Sequence, residues 1–582
     1  MRTRCCLLSL VMLVGVPLVW SPEVTAQWSS DPSQNLMVCD TTGEQVLPKI
    51  AATSDGGCYI SWFDSRAGSY RVYMQKLNAQ GVKQWEPNGL LISSNPQSSS
   101  LVDYDLVVDD SNNAVVVFTD TRSGSQINPF AYRISSQGVF LWGADGVSLS
   151  TAPAVYQPNP KVVMTSDGGF VFVWVYASTP NKIAMQRLSR TGVKQWGAYP
   201  ILLSGSANEN LTYPSAVGSD SGSIILMMSG YTGTFLNPQN YRLYSQKFSS
   251  AGSPLWTANP DTVYSLGRVA GYFVPKIFSD GNSGAIYVWQ DDRNAASRTT
   301  SYVQRFTSSA AKLFPINGSA SSLPSDNNRF DAWACYMPAT DETYMFWKET
   351  NGLQSLFGIY GQRFSGNGTR LWADAGAVFK PLGSNTTVNQ ICFAKDTSIV
   401  VFFNEAITGS NNNLIKGFGT DRSGNLGWGG SILTVSSPLS SKSKVVGAFL
   451  SNGTTLLAWS DQRLDAGGIY AQNVSINGLL GNVSDVPGEH RDEFPSTSAL
   501  YQNYPNPFNP ETNFGFRISH SGMVSFKVFD LLGRTVATLL NEELGPGKYA
   551  VMWDASGFPS GVYFFQLKAG SSTETKKLTL MR

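Results

Sequence analysis

Apolar residues in this chain fall in short runs separated by turn residues. Cys58 to Trp62, Val72 to Leu77, Phe170 to Trp174 and Ile183 to Leu188 are of this kind, with Asp-Gly-Gly or single Gly turns between them. Runs this short are strands rather than helices, and their unbroken apolar character predicts strands covered on both faces by neighbouring sheets. The Asp-Gly turns support hairpins, because glycine takes positive φ without steric cost.

The runs recur as a repeat. Pro48-Lys49-Ile50, Ser54-Asp55-Gly56-Gly57, Trp62 and Gln75-Lys76-Leu77 return as Pro160-Lys161-Val162, Ser166-Asp167-Gly168-Gly169, Trp174 and Gln186-Arg187-Leu188. An aromatic marker falls at Trp28, Trp85, Trp142, Trp196, Trp256, Phe314, Trp372 and Trp428. That spacing, about 57 residues with about four strands per unit, is the signature of a β-propeller or a solenoid. The two ends of the array favour the propeller. Trp28 and Leu36-Met37-Val38 stand without earlier strands, whereas the final unit, Lys444 to Gly478, has the earlier strands and lacks the marker. Each end supplies what the other lacks, so the N-terminal strand is expected to complete the last sheet and leave no edge exposed. Eight markers predict eight blades. Seven is the alternative, because the unit from Ile391 to Trp428 departs most from the pattern.

Composition narrows the function classes. Of 582 residues 14% are charged, with 42 basic and 41 acidic side chains, so no net field favours nucleic acid or an anionic membrane. Residues 1–26 read as a signal peptide: Arg2 and Arg4 precede an apolar run to Trp20, and Val24-Thr25-Ala26 offers the small residues for cleavage. No later run approaches the ~20 apolar residues of a membrane helix. Four cysteines follow this segment: Cys39, Cys58, Cys335 and Cys392. They lack metal or redox spacing and are expected as buried thiols, with Cys39 and Cys58 the pair closest in sequence.

The repeat stops beyond Val483. Residues 27–484 are read as the propeller and 485–497 as a linker. Residues 498–582 are a small all-β unit with strands at Phe514 to Ile518, Val524 to Phe529, Thr535 to Leu539, Tyr549 to Trp553, Val562 to Leu567 and Lys577 to Met581. Strands of this number and length suit an Ig-like β-sandwich. Tyr504-Pro505-Asn506-Pro507-Phe508-Asn509-Pro510, Val528 through Gly533-Arg534, Trp553-Asp554, Ser560-Gly561-Val562-Tyr563, and Lys576-Lys577-Leu578 through Arg582 closely resemble the C-terminal sorting domain of the type IX secretion system of Bacteroidetes-like Gram-negative bacteria. The resemblance implies Tyr504, Pro505, Asn506, Pro507, Gly533, Arg534, Gly561, Tyr563, Lys576, Lys577 and Arg582 as the sorting signal. It also implies the secretion machinery as partner, and passage through the periplasm to the cell surface or the medium.

Candidate chemistry in the repeats is sparse. Past the signal segment the histidines are His490 and His520, both outside the repeats, which excludes His-based triads, His-ligated zinc and a His general base there. No catalytic residue, metal or cofactor is assigned. An aromatic-x-Asp-x-Arg motif recurs at Asp64/Arg66, Asp120/Arg122, Asp291/Arg293 and Asp461/Arg463. Asp and Arg two apart on a strand end share a side; they are read first as a repeated structural lock, with a ligand-gripping ring of charges as the alternative. The repeated glutamines are expected to bond backbone between blades. Thr165 to Gly169 with Phe172 is similar to the Asp-box of sialidases, a structural hairpin. Asp103, Asp105, Asp109 and Asp110 lack calcium-loop spacing and are read as a solvated turn. The function that fits is a secreted or surface module binding extracellular glycan or protein, without enzymatic activity. Glycosidase-like catalysis by carboxylates in the propeller funnel and a structural surface protein are the alternatives.

Overall fold

A computed structural model describes residues 28–97, 102–124, 126–150, 152–234, 237–266, 274–295, 298–464, 466–481, 498–503, 505–518, 522–544, 547–570 and 572–581. The expected signal peptide, the linker, His490 and His520 lie outside them. The chain divides into two compact units between Val483 and Ser484.

The first unit is all-β and propeller-like, built among the described residues from eight four-stranded antiparallel sheets. The first sheet is Gln45–Ala52, Cys58–Asp64, Arg71–Leu77 and Leu90–Ser93 in that order. The next six repeat this meander, their first strands being Asp105–Val108, Lys161–Met164, Asn210–Gly218, Lys276–Ser279, Asn328–Met337 and Thr386–Lys395. The seventh sheet pairs regularly although its sequence departs from the repeat: Phe418 stands where six of the other units carry Gln and stacks on Phe379, ring centres 4.7 Å apart. The eighth sheet takes three strands from the end of the array, Val446–Phe449, Thr455–Asp461 and Gly468–Val474, and its fourth, Leu36–Cys39, from the beginning. Leu36 pairs with Ala471 and Met37 with Tyr470.

Second strands explain the apolar runs. Cys58–Asp64, Ala114–Asp120 and Thr455–Asp461 are buried at every residue, because each lies between two neighbouring sheets. The interior is not one core but eight clusters, one for each pair of successive sheets. One joins the eighth sheet to the first: Leu36, Val38 and Cys39 pack with Leu456 and Ile469 on one side and with Cys58, Ile60 and Trp62 on the other. The succession of sheets therefore returns to its start.

The marker tryptophans fasten each sheet to the next. Trp85 Nε1 donates to the Ser136 carbonyl at 3.0 Å, Trp142 to Arg190, Trp196 to Ser250, Trp256 to Ser308, Trp372 to Arg422 and Trp428 to Ile476. Every acceptor lies in the turn after the third strand of the following sheet. Phe314, which has no N–H, packs on Phe364 instead. Trp28, just before the strand that completes the eighth sheet, donates to Ala79 in the first sheet at 3.0 Å. Gln472 Nε2 donates to the Ser29 carbonyl at 2.8 Å and holds the same segment from the other side.

The C-terminal unit has a three-stranded sheet of Ala499–Leu500, Glu511–Ile518 and Gly547–Asp554. A four-stranded sheet runs in the order Thr535–Leu544, Gly522–Phe529, Gly561–Ala569, Ser572–Leu580. Phe514, Phe526 and Phe565 meet between them with Trp553, Tyr563 and Leu578 in one core. The strands run longer than the apolar pattern indicates, because their ends are polar and half-exposed.

Shortening Trp28 tests the closing joint. Trp28→Phe keeps the ring and loses one hydrogen bond, a cost of about 1 kcal/mol; Trp28→Ala empties a buried site and should cost about 3–5 kcal/mol. Urea unfolding followed by circular dichroism measures both. Equal stability of all three proteins would contradict the joint.

Candidate functional site

First strands converge at the inner rim of the sheet stack, and charge collects there. Lys49, Lys161 and Lys276 follow prolines at one repeated position in the first, third and fifth sheets, as the register of their strands shows: Lys49 faces Ser61, Lys161 faces Val173 and Lys276 faces Val288. The backbone is left-handed within three of the first strands, at Leu47, Tyr213 and Asp331, and just before a fourth, at Asn159, with φ between 50° and 57°. These residues mark the bulge by which each strand bends into the rim.

On one side of the rim charge is matched. Lys49 reaches Asp103 at 2.6 Å, and Lys161 binds the same carboxylate from its other side. The two lysines come from the first and third sheets, and Asp103, which leads into the second sheet between them, ties the three together. Asp105 accepts the Val162 backbone N–H at 3.1 Å. Burial acts against the charge on Asp103, but Lys49 and Lys161 outweigh it and hold the carboxyl well below its usual range. Lys161 is raised in turn: burial opposes its charge, and Asp103 with Asp105 overcomes that.

Across the rim the balance tips to positive. Lys276 donates to Asp331 at 3.3 Å and to the Ala332 carbonyl at 2.8 Å, with its ammonium 5.3 Å from the centre of the Trp333 ring. Lys348, from the second strand of the sixth sheet, and the exposed Lys444, just before the eighth sheet, act on the same aspartate. Asp331 is itself fixed by the Gln290 side chain, which accepts its backbone N–H at 2.8 Å. Burial lowers the Lys276 pKa, and Lys444 lowers it further against the pull of Asp331. Lys348 is lowered by burial and by Lys444 in the same way. Lys276 thus pairs with Asp331, and the charges of Lys348 and Lys444 help hold its carboxyl below the usual range. The sequence signal was the recurrence of Pro-Lys, visible in the repeat but without a side until the strands were placed.

The four Asp-Arg pairs sit elsewhere, at the ends of second strands. Asp64, Asp120, Asp291 and Asp461 are buried. In three cases the strand's own tryptophan donates to the carboxylate, Trp62, Trp289 and Trp459 at 2.9–3.0 Å. Arg66, Arg122, Arg293 and Arg463 each bind that carboxylate and lie flat on an aromatic ring, 4.1 Å from Tyr73, 4.0 Å from Phe130, 3.7 Å from Tyr302 and 4.0 Å from Tyr470. Arg122 then reaches Ser93 of the preceding sheet and Arg463 reaches Ser436. The arrangement is a lock within and between sheets, and it leaves the carboxylates no room for a ligand.

Two expectations change, and the cysteines are the buried thiols expected. Gln75, Gln186, Gln246, Gln304, Gln362 and Gln472 do bond backbone, but inside their own sheet: each amide bridges its third strand to the marker segment leading into the fourth, as Gln75 does by donating to Glu86 at 2.7 Å and accepting from Trp85 at 3.0 Å. Asp103, Asp105, Asp109 and Asp110 are not one solvated turn. They divide between the two ends of Asp105–Val108, where Asp109 accepts from Ser111, Asn113 and Arg133, and Asp110 pairs with Arg190. Cys39 and Cys58 are free and buried, with Cys39 turned toward Arg66 at 3.1 Å; Cys335 and Cys392 are free and buried as well.

At the end of the sheets opposite the rim, the residue after five of the six glutamines pairs with an acid in the turn between first and second strands or at the start of the second, a pattern that the sequence carried unnoticed. Lys76 pairs with Asp55, Arg187 with Asp167, Lys247 with Asp220, Arg305 with Asp280 and Arg363 with Glu342. Glu342 also accepts from Arg422 of the next sheet at 2.7 Å and from Tyr344 at 2.7 Å. Burial opposes its charge, yet Arg422, Arg363 and Tyr344 hold its carboxyl down at about 2.

In the C-terminal unit the sequence-singled residues form two structural clamps and an exposed turn. Asn506 Oδ1 accepts the Thr579 N–H at 2.9 Å and the Pro505 carbonyl accepts from Asn503 and Thr512, so the segment that includes Pro507 is tied to the last strand. Tyr563 is buried edge-on against Trp553 and donates to the Pro559 carbonyl at 2.7 Å. Gly533, at φ 75°, closes a turn in which exposed Arg534 binds Asp530 at 2.8 Å. Gly561 opens a strand and faces Leu580; Lys576 and Lys577 lie along the last strand opposite Phe565 and Phe564. Tyr504 and Arg582 lie outside the described residues.

Residues 502–581 match the family described as the secretion system C-terminal sorting domain. The C-terminal unit is a type IX sorting domain, which implies the secretion machinery as partner and secreted or cell-surface export. No curated protein matches the chain. Among solved structures the chain is similar to the Dos1 propeller, at 10% identity over 77% of this chain and 96% of that one, with a TM-score of 0.41. It is also similar to polysaccharide lyase Uly1, at 6% identity over 79% and 94% with a TM-score of 0.38, and to an endo-arabinase from Bacteroides thetaiotaomicron, at 13% identity over 46% and 96% with a TM-score of 0.29. Among the described residues no helix is long and apolar enough to cross a membrane.

Glu342 gives a pH test. Its folded value near 2 lies below the ordinary 4.5, so its contribution is complete above pH 4.5 and fades as acid carries the pH down toward 2. Glu342→Gln should cost about 2–3 kcal/mol at pH 7, and the gap from wild type in urea midpoint should shrink across that window. A gap that stays constant in acid would contradict the Arg363–Glu342–Arg422 clamp.

Proposed function

We propose that this protein is exported by the type IX route to serve, at the cell surface or in the medium, as a module that binds extracellular glycan or protein. In this reading residues 27–484 are an eight-bladed propeller closed by the N-terminal strand, and residues 498–582 an Ig-like β-sandwich that addresses it to the machinery.

Export is supported by the matched sorting domain. Binding is supported by one observation above the rest: the charge at the inner rim breaks the internal symmetry. Structural charges in this molecule recur from sheet to sheet, as the Asp-Arg locks do, whereas Lys276, Lys348, Lys444 and Asp331 form a group with no counterpart across the rim. Repetition maintains a scaffold; a place where the repeat departs from itself is where a ligand adds something. Catalysis has less support. Asp103 and Asp331 are both engaged by lysines, an arrangement that favours their ionised form and leaves no general acid between them.

Two experiments test the halves separately. Removing residues 498–582 should trap the protein in the periplasm of the native host, as read by fractionation and surface proteolysis; unchanged surface exposure would contradict the export route. The protein on an array of glycans and extracellular-matrix proteins should retain specific partners. Turnover of a saccharide without stable retention would replace the binding module by the enzyme.

A further inference from the structure

The motifs that mark the sorting domain lie far apart in sequence and come together at one end of its fold. Phe529 faces Phe564 and Gly561 faces Leu580. The end of Gly522–Phe529, the start of Gly561–Ala569 and the end of Ser572–Leu580 therefore share one end of the four-stranded sheet. Phe508 joins them there: its N–H donates to the Thr579 carbonyl at 3.0 Å, and its carbonyl accepts the Met581 N–H at 3.0 Å. The Trp553 ring centre is 5.7 Å from those of Phe508 and Tyr563. Phe508, Trp553 and Tyr563 are all taken up by the core.

Leu531 and Leu532 are not. They belong to the motif stretch Val528 to Arg534, in the turn that follows Phe529 at this same end, yet they are 69% and 77% exposed and stand outside the core. The turn that carries them is firmly held. Asp530 Oδ1 accepts the Leu532 and Arg534 N–H groups at 2.9 Å each, and Oδ2 accepts Arg534 Nε at 2.8 Å. The Asp530 carbonyl accepts from Gly533 at 3.0 Å, and Gly533 at φ 75° supplies the left-handed step. Two adjacent leucines left in water forgo their burial energy, and a turn fixed in advance presents them to a partner with little ordering cost. Met581, 57% exposed, adds apolar surface at the same end. Asp530 and Arg534 pair with each other, so the tip carries no net charge that draws it to an anionic lipid surface.

We propose that Leu531 and Leu532 are the contact by which the sorting domain docks, inserted in an apolar cleft of a protein of the secretion machinery. The inference rests on the reading of residues 498–582 as the export signal and names the surface that is recognised. The match to the sorting family supplies the partner, and the tip is the part of the motifs that the fold itself leaves unused. Two leucines side by side on a rigid turn make a small apolar anchor, the kind of cluster that carries much of an interface once a partner buries it.

The experiment expresses the full-length protein in its native host and follows its surface and periplasmic fractions by surface proteolysis and immunoblotting. Leu531→Asp with Leu532→Asp should lower the surface fraction about tenfold or more and leave the protein in the periplasm. Leu531→Met with Leu532→Met keeps an apolar tip and should restore export. Met523→Asp changes an exposed position at the opposite end of the strand that leads into the turn, and should be exported as wild type. Urea midpoints of the purified variants should match wild type, because all three side chains are exposed. Wild-type export of the double aspartate variant, or equal trapping by Met523→Asp, would overturn the contact. So would flotation of the purified protein with phosphatidylethanolamine–phosphatidylglycerol vesicles that the two aspartates abolish, since it would assign the leucines to a lipid surface. If removal of residues 498–582 traps the protein while the double aspartate variant is exported, the contact falls and the export reading stands. If the truncated protein also reaches the surface, both fall.

Discussion

Everything in the larger unit depends on how its last sheet is completed. A row of sheets stacked face to face leaves an uncovered apolar face at each end and an unpaired strand edge wherever a sheet is short. Here one segment removes both liabilities. Leu36–Cys39 supplies the missing strand beside Gly468–Val474, and its side chains bury against Cys58, Ile60 and Trp62 of the first sheet. Trp28 and Gln472 hold the segment in place from its two sides. Because this joint uses the same indole-to-carbonyl bond as six of the other seven sheet junctions, it is a regular junction formed from two distant parts of the chain.

Closure has a consequence for charge. With each sheet held on both faces, the side chains left to interact with anything else lie at the two ends of the strands. At one end, basic residues after the repeated glutamines pair with acids in the turns, and the pattern recurs around the stack. At the other, the rim lysines begin as a repeat at Lys49, Lys161 and Lys276 and then meet unequal numbers of acids. On one side Lys49 and Lys161 share Asp103, and on the other Lys276 pairs with Asp331.

The period, the strand pattern and the exchange of strands between the chain's two ends were legible because each follows from local rules: short apolar runs, Asp-Gly turns and markers at constant spacing. The sorting domain was legible from its motifs. The rim was not, although Pro48-Lys49 and Pro160-Lys161 stood in plain view, because which side chains of successive sheets meet depends on how the sheets stack. The same limit applied to Asp103 and Asp109, close in sequence and drawn to opposite ends of one strand. The Asp-Arg pairs were visible as pairs, but their burial against Tyr73, Phe130, Tyr302 and Tyr470 belongs to the third strand, which no spacing within the motif reveals. The seventh unit departs most from the repeat by sequence, and Phe418 takes its glutamine position; the structure keeps the strand pairing and places an aromatic stack there.

Hydrogen exchange read by mass spectrometry tests the closing strand most directly. If residues 36–39 complete the eighth sheet, their amides and those of 468–474 should be protected together and lose protection in one step as urea is raised. Fast exchange at 36–39 alongside persistent protection at 468–474 would mean that the strand is not part of the sheet, and the closed stack would have to be abandoned.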